Sequence, residues 1–225
     1  MRAGALPQAV PLWPWHRARL SHGGCDDDLI ACVESEVSAA IHSYEGPWGP
    51  RVRISVQVTP YGDVSVSCER RLSSLDVPAG PVLAVVTMDP VPEPAPGPAK
   101  PMERSAWDAA LRRAQEAGAQ QAVLADTAGE VVDGSTASVW AVMGGVLHTP
   151  PSPRAIPGVA RAWLLENAGE LDLRAEVTRL RAEDLALAEE VFLTNALAGA
   201  VAARGKGGPV STAVIAAFME LWATL

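Results

Sequence analysis

Residues 122–150 read AVLADTAGEVVDGSTASVWAVMGGVLHTP, and their pattern decides what kind of fold surrounds them. AVLADTAGEVVDG (122–134) consists of two strand-length runs around the turn Thr127-Ala128-Gly129. SVWAVMGGVLHTP (138–150) is a hairpin that turns at Gly144-Gly145, because paired glycines supply the positive φ that a two-residue turn needs. Helical patterns flank this strand-rich centre. ERSAWDAALRRAQEAGA (103–119) precedes it and closes at Gly118; IPGVARAWLLENAG (156–169) follows, opening after Pro157 and Gly158 and ending at Gly169. Strands and helices mixed in this way predict an α/β (α+β) fold.

Reading outward to the C-terminus, LRAEVTRL is a strand and RAEDLALA a short helix. EVFLTNALAGAVAA then gives two strands with a kink, and STAVIAAFMELWATL a terminal helix. Toward the N-terminus lies DPVPEPAPGPAKP (89–101), with six prolines between 90 and 101. No regular element survives that density of proline, so the stretch is expected to be an interdomain linker. Before it, PVLAVVTM (81–88) has the length and apolarity of a strand. RVRISVQVT (51–59) and DVSVSCERRL (63–72) alternate in period two around PYGD, a hairpin. Residues 26–44 place Leu29, Ile30, Val33, Val37 and Ile41 three and four apart behind three aspartates, a helix with negative charge at its N-terminus. The expected organisation is two-lobed: a small N-terminal α/β lobe (1–88), the linker (89–101), and a larger strand-rich lobe (102–225).

With 26 acidic side chains against 18 basic ones, the chain carries a net charge of -8. Nucleic acid and anionic membrane surfaces both call for a positive footprint, and neither is expected as a partner. No apolar run approaches the roughly 20 residues that span a bilayer, and MRAGALPQAVPLWPWHRARL lacks the sustained apolar stretch of a signal peptide. A cytoplasmic location is the expectation. The cysteines, Cys25, Cys32 and Cys68, form no CxxC pair, so they predict neither a disulfide framework nor a metal site. Of the 18 basic residues only Lys100 and Lys206 are lysine. Such a sequence fits a GC-rich genome, in which surface lysines drift to arginine, and a lysine that remains draws attention as an amine.

Around Lys100 a set of motifs recurs in a recognisable order. After Lys100 come Gly129-Glu130-Val131-Val132-Asp133, then Gly134-Ser135-Thr136-Ala137-Ser138-Val139-Trp140, then Leu147-His148-Thr149-Pro150 and Ile156-Pro157-Gly158-Val159-Ala160-Arg161. Phe192-Leu193-Thr194-Asn195-Ala196-Leu197 follows, and His16-Arg17-Ala18-Arg19-Leu20 lies upstream. In this order and spacing they resemble the fold-type IV pyridoxal-phosphate (PLP) enzymes, the class IV aminotransferase family, which includes branched-chain and D-amino-acid aminotransferases and aminodeoxychorismate lyase.

The resemblance implies a role for each match. Lys100 would hold PLP as a Schiff base and move the substrate proton; the bland alternative is a solvated lysine in a proline-rich linker. Asp133, 33 residues later, stands where the family has Glu and would keep the cofactor's ring nitrogen protonated. Its bland alternative is a hairpin-end Asp accepting turn N–H bonds. Gly158, Val159 and Ala160 would offer backbone amides to the phosphate at a helix start. Asn195 and Ala196 would add a second phosphate contact, Arg19 the cation, and Ser138 would lie in the cofactor shell. His16 is expected to be structural, and His148 either structural or pocket-lining.

Three departures from the family pattern bear on activity. Ala160 replaces the family's Thr, which removes a hydroxyl and leaves the amide. Ser105 stands where the aminotransferases have a Tyr that holds the ring oxygen. Only 15 residues precede His16, without the family's Y/F-G-D-G-x-F-E segment, which implies a shortened member or a start codon placed too late. The missing Tyr, the Ser/Thr-rich loop and the TNAL segment lean toward a lyase resembling 4-amino-4-deoxychorismate lyase, which releases pyruvate to give p-aminobenzoate for folate synthesis. The alternatives are a class IV aminotransferase of branched-chain or D-amino-acid type, and a cofactor-free relative. A small-molecule amine substrate and a homodimer complete what the resemblance implies.

Overall fold

The computed structural model describes residues 10–46, 52–70, 73–91, 100, 103–151 and 154–223. Most of the expected linker, residues 92–99 with 101, lies outside the described residues.

The first elements are α1 (Trp13–His22), α2 (Asp27–Ser43), β1 (Val52–Val58) and β2 (Val64–Arg70). Asp26 caps α2, its carboxylate accepting the Leu29 N–H at 2.8 Å, with Asp27 and Asp28 in the first turn. Ile30, Val33 and Val37 are buried, and Val33 and Val37 meet the apolar side chains of the antiparallel β1–β2 hairpin. Helix α1 has no counterpart in the sequence-based reading. It buries only Trp13 and so shows no apolar stripe; Pro14 near its start is the local signal that could have revealed it.

The remaining elements are β3 (Leu83–Thr87), α3 (Ser105–Glu116), β4 (Gln121–Ala125), β5 (Val131–Gly134), β6 (Ser138–Met143), β7 (Val146–Thr149), α4 (Val159–Asn167), β8 (Arg174–Val177), α5 (Ala182–Leu187), β9 (Glu190–Asn195), β10 (Gly199–Ala202) and α6 (Pro209–Ala223). They build a five-stranded sheet in the order β10-β9-β6-β7-β8 and a three-stranded sheet β3-β4-β5. Gly144 and Gly145 both take positive φ, 57° and 74°, in the β6–β7 turn, as the paired glycines predict.

One expectation needs correction. Strand β3, grouped by sequence with the first lobe, pairs in parallel with β4, Leu83 opposite Gln121 through Thr87 opposite Ala125. Parallel strands need a long crossover carrying a helix, and α3 supplies it, packed against both strands. The proline-rich stretch is part of that crossover, so the three-stranded sheet draws strands from both sides of it. The main core lies between the five-stranded sheet and helices α4 and α6. Trp140 and Phe192 stack at 5.9 Å there, and Trp163 meets Phe218 at 4.5 Å. Among the described residues no helix is long and apolar enough to cross a membrane.

Candidate functional site

Helix α1, strand β1 and the loop ends of both larger sheets enclose a cavity of about 1040 Å³. Its floor is the β5–β6 connection. Gly134 is required there, because a Cβ would run into the Ala137 carbonyl oxygen. Gln121, 1% exposed, fixes the loop: its Oε1 accepts the Ser135 hydroxyl at 3.1 Å and the Thr136 hydroxyl at 2.7 Å. Sequence reasoning missed Gln121, which lies inside a strand and carries no motif.

Asp133, the next-to-last residue of β5, lines the cavity while 3% exposed. Its Oδ1 accepts the Gly134 N–H at 2.9 Å and its Oδ2 the Ile156 N–H at 3.0 Å. The turn-accepting Asp of the bland alternative is thus realised, on a carboxyl that still borders the cavity. Burial pushes its pKa up to about 7, opposed by those two N–H groups, by the nearby Trp107 indole and by the Arg104 guanidinium. The Trp107 N–H itself makes no hydrogen bond among the described residues.

Lys100 opens onto the same cavity and is exposed to it. The surrounding protein still removes enough water from its amine to lower the pKa to about 8; Arg104, Arg19 and Arg53 add repulsion, and Asp133 opposes them. His16, half-buried on α1 beside Arg19 and Lys100, is held neutral, its pKa lowered to about 3 mainly by burial. Its ring stacks on Trp13 at 6.4 Å.

A second corner of the cavity gathers hydrogen-bond donors. The Arg19 guanidinium lines this corner and makes no hydrogen bond or ion pair among the described residues, and burial lowers its pKa. Helix α1 packs against α4, and the Trp15 indole donates to Glu166 at 2.7 Å. Gly158 caps α4 without a side-chain bond; the first helical amides, unpaired by geometry in any α-helix, point out of its start. Gly158 packs so closely on Ser138 that a Cβ would lie 2.7 Å from the serine hydroxyl. In the β9–β10 turn, Asn195 Oδ1 accepts the Leu197 and Ala198 N–H groups at 3.0 and 2.7 Å, and its Nδ2 donates to the Thr136 carbonyl at 3.3 Å. The Asn195 side chain is therefore committed to the turn, and the backbone at Asn195 and Ala196 borders the cavity.

Arg19, Lys100, Asp133, Ser138, Gly158, Val159, Asn195 and Ala196 thus share one cavity. Ala160 does not line it: its side chain is 1% exposed within the core, leaving only its amide for a ligand. Arg161 is also buried, donating to Thr149 Oγ1 at 3.1 Å and to the Pro150 carbonyl at 2.8 Å, and so ties the end of β7 to α4. His148 is off the cavity, between Ala141 of β6 and Glu176 of β8. Its Nδ1 lies 4.0 Å from Glu176, too far for a hydrogen bond, so of its two readings the structural one fits. Ser105 also stays off the cavity. Two arginines without a motif line it instead: Arg53 on β1, 3.8 Å from Glu69, and Arg104 at the start of α3.

Comparison with known proteins bears on the family and the fold. The chain is 31% identical over 119 residues to the branched-chain-amino-acid aminotransferase of Escherichia coli K12, a match that covers 48% of this chain and 38% of the relative. It is 27% identical over 121 residues to the Pseudomonas aeruginosa enzyme of the same name, covering 50% and 39%. The chain thus matches well under half the length of these curated relatives. Among solved structures, a T.th. branched-chain amino acid aminotransferase superposes with a TM-score of 0.61 at 26% identity, over 72% of this chain and 57% of that one. The Escherichia coli enzyme gives a TM-score of 0.71 over 95% and 79%, at 20% identity, and speaks for the fold alone. The family model for amino-transferase class IV matches residues 9–205. On that match, with a fold-type IV architecture around the cavity, the chain belongs to the class IV aminotransferase family.

Proposed function

We propose that this chain is a PLP-dependent aminotransferase acting on a small amino acid. The observation that carries the reading is one cavity bordered by the Lys100 amine, a buried Asp133 carboxyl and an Arg19 with no partner among the described residues. These residues fit the cofactor. Arg19, the amides at the start of α4 and the backbone at Ala196 suit a phosphate. Asp133 accepts two N–H bonds and has lone pairs left for a third donor. Lys100, lowered to about 8, keeps a share of free amine near neutral pH.

PLP, when bound, supplies an electron sink for the pair released at the substrate's α-carbon. Lys100 would hold it through Nζ and, once released by substrate, would take and return the α-proton. Asp133 would hold a proton at the ring nitrogen, and a cation there favours its ionised form. Neutral His16 adds no charge beside Arg19 and Lys100.

The lyase reading keeps the same Lys100, Asp133 and Arg19 and rests on the absence of a Tyr at Ser105, the Ser/Thr-rich loop and the TNAL segment. The names of the curated relatives support the aminotransferase instead. A homodimer belongs to the same proposal. The test is the visible spectrum of purified protein with PLP, wild type beside Lys100→Ala. A band bleached by borohydride in wild type and missing from the variant is expected. No band in wild type refutes the reading and leaves the cofactor-free relative. With the band present, an amino acid given alone should release keto acid once per site and then stop. Continuous pyruvate release from 4-amino-4-deoxychorismate, with no keto acid acceptor, would restore the lyase.

A further inference from the structure

Arg104 is the cavity residue for which the sequence offers no role. It precedes α3 as its N-cap residue and makes no capping bond with its side chain. Two contacts orient the guanidinium: Nη2 donates to the Ser135 carbonyl at 2.6 Å, and the group lies over the Trp107 ring, 5.9 Å from its centroid. An arginine has five N–H donors, and among the described residues only this one hydrogen bond is made. The next residue, Ser105, does not line the cavity, and its backbone N–H is held by Glu103 Oε1 at 2.5 Å. Arg104 and Lys100 are therefore the side chains that the segment entering α3 offers to the cavity among the described residues.

The covalent geometry of PLP turns this placement into an assignment, which rests on the function proposed above. The carbon that joins Lys100 and the ring nitrogen are at opposite ends of the pyridine ring. Two edges connect them: one bears the phosphate arm, the other the ring oxygen and a methyl group. Arg19, the start of α4 and the β9–β10 turn occupy the phosphate corner. Arg104, four residues after Lys100 and hydrogen-bonded to the Ser135 carbonyl two residues after Asp133, lines the cavity with both of them, and its charge acts on each. A cation that reaches both ends from outside the phosphate corner lies along the other edge. The geometry points to Arg104 as the partner of the cofactor's ring oxygen, a charged donor to the one ionisable group on that edge.

A guanidinium there stabilises the oxygen as an anion and fixes the tilt of the ring. Arg104→Gln and Arg104→Lys, each loaded with PLP beside wild type, separate this role from its competitors. Two quantities are read: the pH midpoint of the visible band that PLP forms with Lys100, and the dissociation constant for PLP. Removing a cation within about 4–6 Å of a titrating group shifts it by about 1 pH unit or more. Arg104→Gln is expected to move the midpoint by that much and to weaken PLP binding about 10-fold, the ratio for a lost charged hydrogen bond of about 1.4 kcal/mol. Arg104→Lys, which keeps the charge, is expected to restore most of the midpoint. Thermal melts without PLP show whether the Ser135 contact is needed for folding; a Gln variant that does not fold leaves the Lys variant to decide, and a Lys midpoint displaced like the loss of the charge overturns the assignment. A midpoint unmoved in Arg104→Gln, with only the KM for the amine raised, also overturns it and gives Arg104 to the substrate. A wild type that takes up no PLP overturns the underlying function and this assignment together.

Discussion

Gly158→Ala tests a close approach between α4 and β6 at the cavity. Gly158 has φ -68° and ψ 132°, a conformation any residue adopts, so the backbone contributes no strain. A Cβ there would lie 2.7 Å from Ser138 Oγ, with Arg161 Cβ and Ser138 Cβ at 3.7 and 3.9 Å in ordinary contact. Ser138 is 6% exposed and sits on β6, paired with β9, so either its hydroxyl swings or α4 moves. Overpacking of this kind costs about 1–3 kcal/mol, and alanine in place of glycine at an N-cap adds about 0.5–1 kcal/mol. The Ser138 hydroxyl makes no hydrogen bond among the described residues, and Ser138→Ala alone should change stability by less than about 0.5 kcal/mol. In the double variant the clash is gone and only the cap cost remains, a coupling of about 1–3 kcal/mol between the two positions. Urea unfolding of the four proteins, followed by circular dichroism, measures it. A Gly158→Ala protein within about 0.5 kcal/mol of wild type, or additive effects in the double variant, would refute the geometry.

Two further outcomes follow from charge and hydrogen bonding. The Asp133 carboxyl has a folded-state pKa of about 7 against 3.8 in the unfolded chain. Between those values the native state keeps a proton that the unfolded state has lost, so this group lowers stability as pH rises through the window and changes nothing above it. The Tm of wild type relative to Asp133→Asn should therefore fall from about pH 4 to about pH 7; a pH-independent difference would contradict it. Arg161→Met leaves Thr149 and the Pro150 carbonyl without their guanidinium and should cost about 2–3 kcal/mol in urea unfolding. A loss below about 0.5 kcal/mol would mean that water replaces both bonds.

The local elements were readable because each is marked by a short-range pattern. Asp26 before the Ile30-Val33-Val37 stripe announces α2, and Gly144-Gly145 announces the β6–β7 turn. The motif residues were readable for a different reason, since Lys100, Asp133 and Gly158 stand in an order that a family shares. What left no such mark was missed. Helix α1 has one buried residue and no stripe, Gln121 is a polar residue inside a strand, and Arg53 and Arg104 resemble any surface arginine of an arginine-rich chain.

By itself, then, the sequence determined most of the strands and helices, α1 excepted, where the tight turns fall, and which lysine and carboxylate stand in a motif order that a family shares. The tertiary structure alone decided that β3 crosses the proline-rich stretch to lie beside β4. It alone brought Arg104 into the cavity with Lys100 and Asp133, and buried Asp133 deeply enough to move its pKa to about 7. Periodicity records how a segment meets its nearest neighbours in the chain. Burial, register between distant strands and the sum of charges around a cavity are set only when segments far apart in sequence pack together.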